Sequence, residues 1–324
     1  MTVARILAAA LLALASSLAF AQPASFATRP VRIIVPYPPG GGIDVLARAL
    51  GPELSAAWGQ PVVVENVAGA GGILGTEKVA AAPGDGHTLL MGVNPVVVGN
   101  RFLFRSLPYD PDRSLAPAVM IVQSGQMAVA HPTLPAGTMK ELVELARKSP
   151  GKLAYSSYGN GSQPHLFFET IAKREGVEFL HVPYKGIAPA ATAVIAGEVM
   201  LTIASPGQLG AMVKAGKLKA LAIGASTRSR EFPAVPTTAE AGFPYAHSSI
   251  WFGMFAPAST PRALVERIHR DVAAIARRPD FAEKQVTSRG FEVVGAGPAE
   301  FAAAIKAEVA TTGEMIKAAG VKPE

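Results

Sequence analysis

The sequence predicts an α/β protein of two domains, on three observations. Apolar, β-branched runs alternate with helical patterns from Val31 onward, the order that builds a mostly parallel sheet. Residues 131–248 repeat a strand, small-residue loop, helix plan of their own. The C-terminal part has strands and helices but no glycine loop, so it is expected to pack back on the first domain. The expected division is therefore 22–130 with 249–324 as a discontinuous first domain, and 131–248 as the second. Two chain crossings, near 127–131 and 248–252, would form a hinge. With 324 residues and 49% hydrophobic content, the chain can fill two cores.

The N-terminus reads as an export signal. Arg5 supplies a positive region, Ile6 to Leu14 an apolar core, and Ala19-Phe20-Ala21 a small-x-small cleavage site. Residues 1–21 are expected to be removed before Gln22, which places the mature protein outside the cytoplasm. The apolar run is too short to favour a membrane span. The chain contains no cysteine. That excludes disulfides, thiolate catalysis, cysteine metal sites and a lipid-modified cysteine. The net charge of +6 is spread along the chain without basic runs interleaved with aromatics. This argues against nucleic acid and is compatible with small anions.

The first strand is Val31 to Val35, β-branched and apolar apart from Arg32. Pro36, Pro38 and Pro39 stop it, because proline has no N–H for the ladder. Gly40, Gly41 and Gly42 then turn the chain into a helix that runs through Ile43, Asp44 and on to Leu50. Such a turn aims backbone N–H groups and the positive end of a helix at one point, which suits an anion. Asp44 reads first as a cap on that helix. Tyr37 either covers a ligand or packs. A second strand, Pro61 to Glu65, leads to Gly69-Ala70-Gly71-Gly72 and a helix from Ile73 to Ala81. A third, His87 to Met91, leads to Asn94-Pro95. All three strand ends should share one sheet edge, where ligands of α/β proteins sit.

Residues 100–120, with Pro108, Pro111 and Pro117, read as a surface excursion. Met127 to Ala130 is a strand, and Thr138 to Glu141 is a capping-box pattern opening a helix to Lys148. Strands follow at Leu153 to Ser156, Val177 to Val182 and Val199 to Ala204. Their loops carry Ser157, Asn160, Gly161 and Ser162, then Tyr184-Lys185, then Ser205. Lys219 to Ile223, Ile250 to Phe255 and Phe291 to Val294 complete the strands. Leu264, Ile268, Val272 and Ile275 have helical spacing, and a last helix spans about 299–318.

No catalytic or metal motif is present. G-x-G-x-x-G fails at Val45 and again at Leu74, and Gly216-Lys217 lacks the rest of a phosphate loop. Ser162 and Ser205 sit in no G-x-S-x-G elbow. The histidines, at 87, 131, 165, 181, 247 and 269, have no ligand spacing. No cofactor and no metal are expected.

Nine blocks carry a resemblance. They include PYPPGGGIDVLAR (36–48), VVVENVAGAGGILGTEKVA (62–80), YSSYGNGSQPHL (155–166), HVPYKGIAPA (181–190) and WFGMFAPASTP (251–261). In order and spacing the chain resembles the Bug-type periplasmic receptors of tripartite tricarboxylate transporters, from about Pro30 to Glu324. The resemblance implies a Venus-flytrap fold of the type II kind with a ligand cleft between domains. It implies capture of a mono- or dicarboxylate, delivery to membrane transporter subunits, and no enzymatic activity; a monomer is expected. Carried over, the ligand would meet Pro39–Asp44 and Ala70 on one side, and Ser157–Ser162 and Ser205 on the other. The family often has acidic or amide residues near Ala204-Ser205 and an aspartate where this chain has Met200. Their loss speaks against an amino-acid ligand. The usual aromatic near Thr311-Thr312 is also missing. A sensory module for a membrane receptor and an extracytoplasmic α/β hydrolase are the alternatives.

Overall fold

The computed structural model describes residues 26–159, 161–184, 186–225, 227–321 and 323. The expected leader, its cleavage point before Gln22, Asn160 and Lys185 lie outside the described residues.

In chain order the elements are β1 (Val31–Val35), α1 (Gly42–Trp58), β2 (Val62–Asn66), α2 (Ile73–Ala80), β3 (Thr88–Val93), α3 (Asn100–Leu103) and β4 (Leu115–Gly125). There follow β5 (Met127–Ala130), α4 (Met139–Lys148), β6 (Ala154–Ser157), α5 (Gln163–Glu175), β7 (Leu180–Pro183), α6 (Ile187–Ile195), β8 (Leu201–Ala204), α7 (Pro206–Lys214) and β9 (Lys219–Ile223). The chain closes with β10 (Ser249–Pro257), α8 (Arg262–Arg277), β11 (Glu292–Ala296) and α9 (Pro298–Ala318).

These strands form two sheets, ordered β11-β4-β10-β3-β1-β2 and β7-β6-β8-β5-β9. The apolar residues of β1 are fully buried and only Arg32 faces out, as its composition requires. β1 pairs parallel with β2 and β3. Both sheets are nevertheless mixed, which corrects the mostly parallel expectation. β10 runs antiparallel to β3 and β4, β11 antiparallel to β4, and β5 antiparallel to β8 and β9. The reason is connectivity. β5 and β10 are entered from the other sheet, so neither needs the helical crossover that keeps consecutive strands parallel.

The longest strand, β4, lies where the prolines read as a surface excursion. Pro117 stands opposite Phe255, beside a register shift between Met254 and Phe255. The missing N–H therefore falls at an irregularity that interrupts the ladder in any case. β5 belongs to the second sheet, so the first crossing is at Gln126, before the expected boundary at Ala130. The two crossings are bonded to each other. Gln126 donates its N–H to Ser248 O at 2.7 Å, Gly224 donates to Gln126 O at 2.8 Å, and Ser248 donates to Gly224 O at 3.0 Å. A side chain at Gly224 would meet Ser248 backbone at 2.6 Å, so glycine is required for this close approach.

One core surrounds the first sheet and includes Trp58, Phe255 and Phe301. The second sheet has a core on each side, one around Tyr155, Phe167 and Phe168 and one around Val194 and Leu209. A small fourth cluster joins the lobes, with Leu166 of α5 against Met315 and Ile316 of α9. No helix among the described residues is long and apolar enough to cross a membrane.

Candidate ligand-binding cleft

The glycine turn after β1 is held by Asp44. Its carboxylate is buried and accepts from Gly40 N at 2.9 Å, Arg48 Nε at 3.0 Å and Asn66 Nδ2 at 2.9 Å. Asn66 also donates to Tyr37 O, at 3.0 Å. Burial alone would raise the Asp44 pKa, but the bonds from Arg48, Gly40 and Asn66 together hold it below the usual carboxylate range. Asp44 therefore ties the turn that precedes α1 and does not cap the helix, which corrects the capping expectation. Gly41 is the N-cap of α1, with no side chain closing off the first-turn N–H groups. Pro39 to Gly42 are exposed, and a Cβ at Gly40 or Gly41 would meet nothing within 4 Å.

A cavity of about 1340 Å³ lies between the lobes. Tyr37, Asn94, Trp251 and Glu308 line it from the first lobe, and Tyr158, Gly161, Ser162 and His165 from the second. Four of the predicted site residues, Tyr37, Asn94, Gly161 and Ser162, are thus brought to one wall-to-wall space. The turn Pro39–Asp44 and Ala70 adjoin that wall in sequence, next to Tyr37 and Gly71, but do not themselves line it. Ser157 and Ser205 are placed off the wall. Ser157 Oγ is 2.6 Å from His181 Nε2 inside the second lobe. Ser205 is the N-cap of α7, in a capping box with Gln208.

The wall is rich in neutral hydroxyls. Burial, with Tyr109 nearby, pushes the Tyr37 phenol up to about 12. Tyr158 is 38% exposed as a residue, but desolvation of its hydroxyl at the cleft raises its phenol pKa too, with Tyr37 adding to it. Both therefore stay protonated and can donate to an anion. Glu308 was not expected here. Burial raises its pKa against the pull of hydrogen bonds from Trp251 and Asn94. The sequence does contain a signal for it. Phe301, Ile305 and Glu308 share the i, i+4, i+7 stripe that α9 buries, so the acid stands on an apolar face. This also qualifies the argument from missing acids near Ser205, since the cleft has an acid on its other wall.

Behind the second-lobe wall, His165 and His181 stack with ring centroids 4.2 Å apart. His165 Nδ1 accepts the Gly161 N–H at 3.0 Å, so that nitrogen carries no proton. Burial, with His165 adding, pushes His181 down to about 4, and burial lowers His165 as well. As pH falls from about 6.5, the unfolded chain takes up the His181 proton first. Stability should therefore decline between about 6.5 and about 4, and this loss should be complete below that window. Urea midpoints at pH 7 and pH 4.5 check it: His181→Gln should lose ~2 kcal/mol less than wild type between the two pH values. Equal losses would contradict the account.

Residues 46–321 match the sequence model of the family described as "Tripartite tricarboxylate transporter family receptor". The chain belongs to that family. This receptor is 38% identical over 250 residues to protein BugT of Bordetella pertussis, with 76% of each chain covered. It matches the solved structure "R. palustris Rpa4515 with adipate" at a TM-score of 0.78 and 32% identity, over 92% of this chain and 99% of that one. It matches MatC from Rhodopseudomonas palustris with bound malate at 0.73 and 29% identity, over 89% and 99%. The family and its solved neighbours are solute-binding receptors and not enzymes, which sets the hydrolase alternative aside. The two-lobe periplasmic-binding-protein fold expected from the resemblance is the fold of this receptor.

Proposed function

We propose that this receptor captures a small organic acid, a mono- or dicarboxylate, in the interlobe cleft and delivers it in the periplasm to a membrane transporter of the tripartite tricarboxylate type. The mature protein would begin at Gln22 and act as a monomer without a cofactor. The observation that carries the reading is the cavity itself, with two neutral phenols on its walls and the uncapped start of α1 beside it. Adipate and malate in two of the family's solved structures support the ligand class. The acid would be met by Tyr37, the turn Pro39–Asp44, Ala70 and Asn94 from one lobe, and by the loop 158–162 from the other.

The energetics require convergence. Arg174, on the cavity wall, already lies 3.8 Å from Glu314. A helix N-terminus contributes ~0.3–1 kcal/mol, and each hydrogen bond to a charged group ~1.5–3 kcal/mol. Several such donors acting together reach micromolar binding, about −8 kcal/mol. A thermal-shift screen against small carboxylates, each paired with its neutral amide, tests the reading. A true ligand at about a hundred times its Kd should add ~2.7 kcal/mol of stability, a rise of several degrees, while its amide adds none. Equal shifts from acid and amide would refute the anion site.

A further inference from the structure

Each wall of the cleft holds a hydrogen-bond acceptor that lacks a donor among the described residues. Asn94 is only 3% exposed, and its Nδ2 donates to Ser249 O and to Glu308 Oε1, both at 2.8 Å. Gln163, from the facing lobe, donates its Nε2 to the same Ser249 O at 2.6 Å. A backbone carbonyl can only accept, so it fixes which way each amide is turned. The oxygens must point elsewhere. Asn94 Oδ1 and Gln163 Oε1 are both shielded from solvent without a partner among the described residues. Glu308 stands beside them, its Oε2 accepting from Trp251 Nε1 at 2.6 Å. Asn94, Gln163, Ser249, Trp251 and Glu308 all line the cavity.

Buried acceptors left unpaired are costly, and native proteins rarely keep two together without a use. The hydrogen-bond partners of Glu308 here, Asn94 and Trp251, are neutral, so nothing in that network draws a carboxylate to this wall. We infer that Asn94 Oδ1, Gln163 Oε1 and Glu308 form a donor-recognition subsite that takes an O–H or N–H group borne by the ligand. The preferred acid is then a hydroxy- or amino-substituted one, with its carboxylate at the hydroxyl-lined, glycine-turn side. Gln163 and Asn94 come from different lobes and meet at Ser249 O, so the subsite is complete only when the cleft is closed. This inference rests on the carboxylate reading above.

Calorimetric titration of the full mature receptor with succinate, malate, aspartate, adipate and 2-aminoadipate tests it. The substituted acid should bind about tenfold or more tightly than the plain acid of the same length, because a site built around a donor rejects the analogue lacking it. Preference for malate identifies a hydroxyl, and preference for aspartate or 2-aminoadipate an ammonium paired with Glu308. Glu308→Gln removes the charge and sets an NH₂ against the donors Asn94 Nδ2 and Trp251 Nε1, so the preference for the substituted acid should shrink. Should that variant fail to fold, the wild-type series decides alone. Plain acids binding as tightly as substituted ones would overturn the subsite and leave its acceptors to water. Silence from all five acids would remove the dicarboxylate reading, and this inference with it.

Discussion

Phe301→Ala is expected to lower stability by ~3–5 kcal/mol, the range for deleting a fully buried phenylalanine. Phe301 is completely buried on α9. Its ring meets Trp251 edge-on and Phe255 at a tilt, both at centroid distances of 5.0 Å. Gly253 lies beneath it, and a Cβ there would stand 2.5 Å from the ring. The glycine in β10 thus exists so that an aromatic ring can lie against the strand. Removing the ring leaves a cavity that the rigid β4–β10 ladder cannot collapse, and it frees Trp251 from one face. Trp251 in turn positions Glu308 through its indole N–H. Urea unfolding with linear extrapolation measures the loss. A change under about 1 kcal/mol would mean that α9 does not dock on β10 as described.

Asp44→Ala is expected to cost ~2–4 kcal/mol. The substitution takes one acceptor away from three donors, Gly40 N, Arg48 Nε and Asn66 Nδ2. Breaking a fully buried ion pair costs more, but the Arg48 side chain is 50% exposed and water can recover it. Asp44→Asn should fare little better, since it sets an NH₂ against donors. The pKa of Asp44 is lowered on folding, so its contribution is full above the ordinary carboxylate range. That contribution is lost as pH falls through the lowered value, and wild type and Asp44→Ala should converge there. A stability gap unchanged by acid would contradict the role given to this carboxylate. Faster amide hydrogen exchange across residues 40–44 would show that the turn has loosened.

The parts of this fold that were readable from sequence are those decided locally. The alternation that predicted β1 to β3 depends on residues within one segment. The Thr138 capping box is reciprocal in the structure, as its spacing required. The glycine turn and the first-turn place of Asp44 were legible because proline and glycine act on their own backbone; that Asp44 ties Gly40 to Asn66 instead of capping the helix was not. What escaped depends on partners far along the chain. β4 was hidden by Pro117, whose tolerance comes from a register shift that only β10 creates. Ser205 read as a ligand candidate at a strand end, and the structure instead bonds it to Gln208 at the start of α7. Ser157 read as cleft lining, and His181, 24 residues away, draws it inward. Glu308 was visible as an acid on an apolar stripe, but its neighbours Asn94 and Trp251 lie 214 and 57 residues away.

The most direct test of the central claim is a crystal structure of the mature receptor with the acid that gives the largest thermal shift. Ligand density between the lobes, with a carboxylate bonded at Tyr37, Tyr158 or the turn 39–44 and the lobes closed over it, is the predicted result. Density outside the cleft, or an acid held without contact to either phenol or the glycine turn, would contradict it.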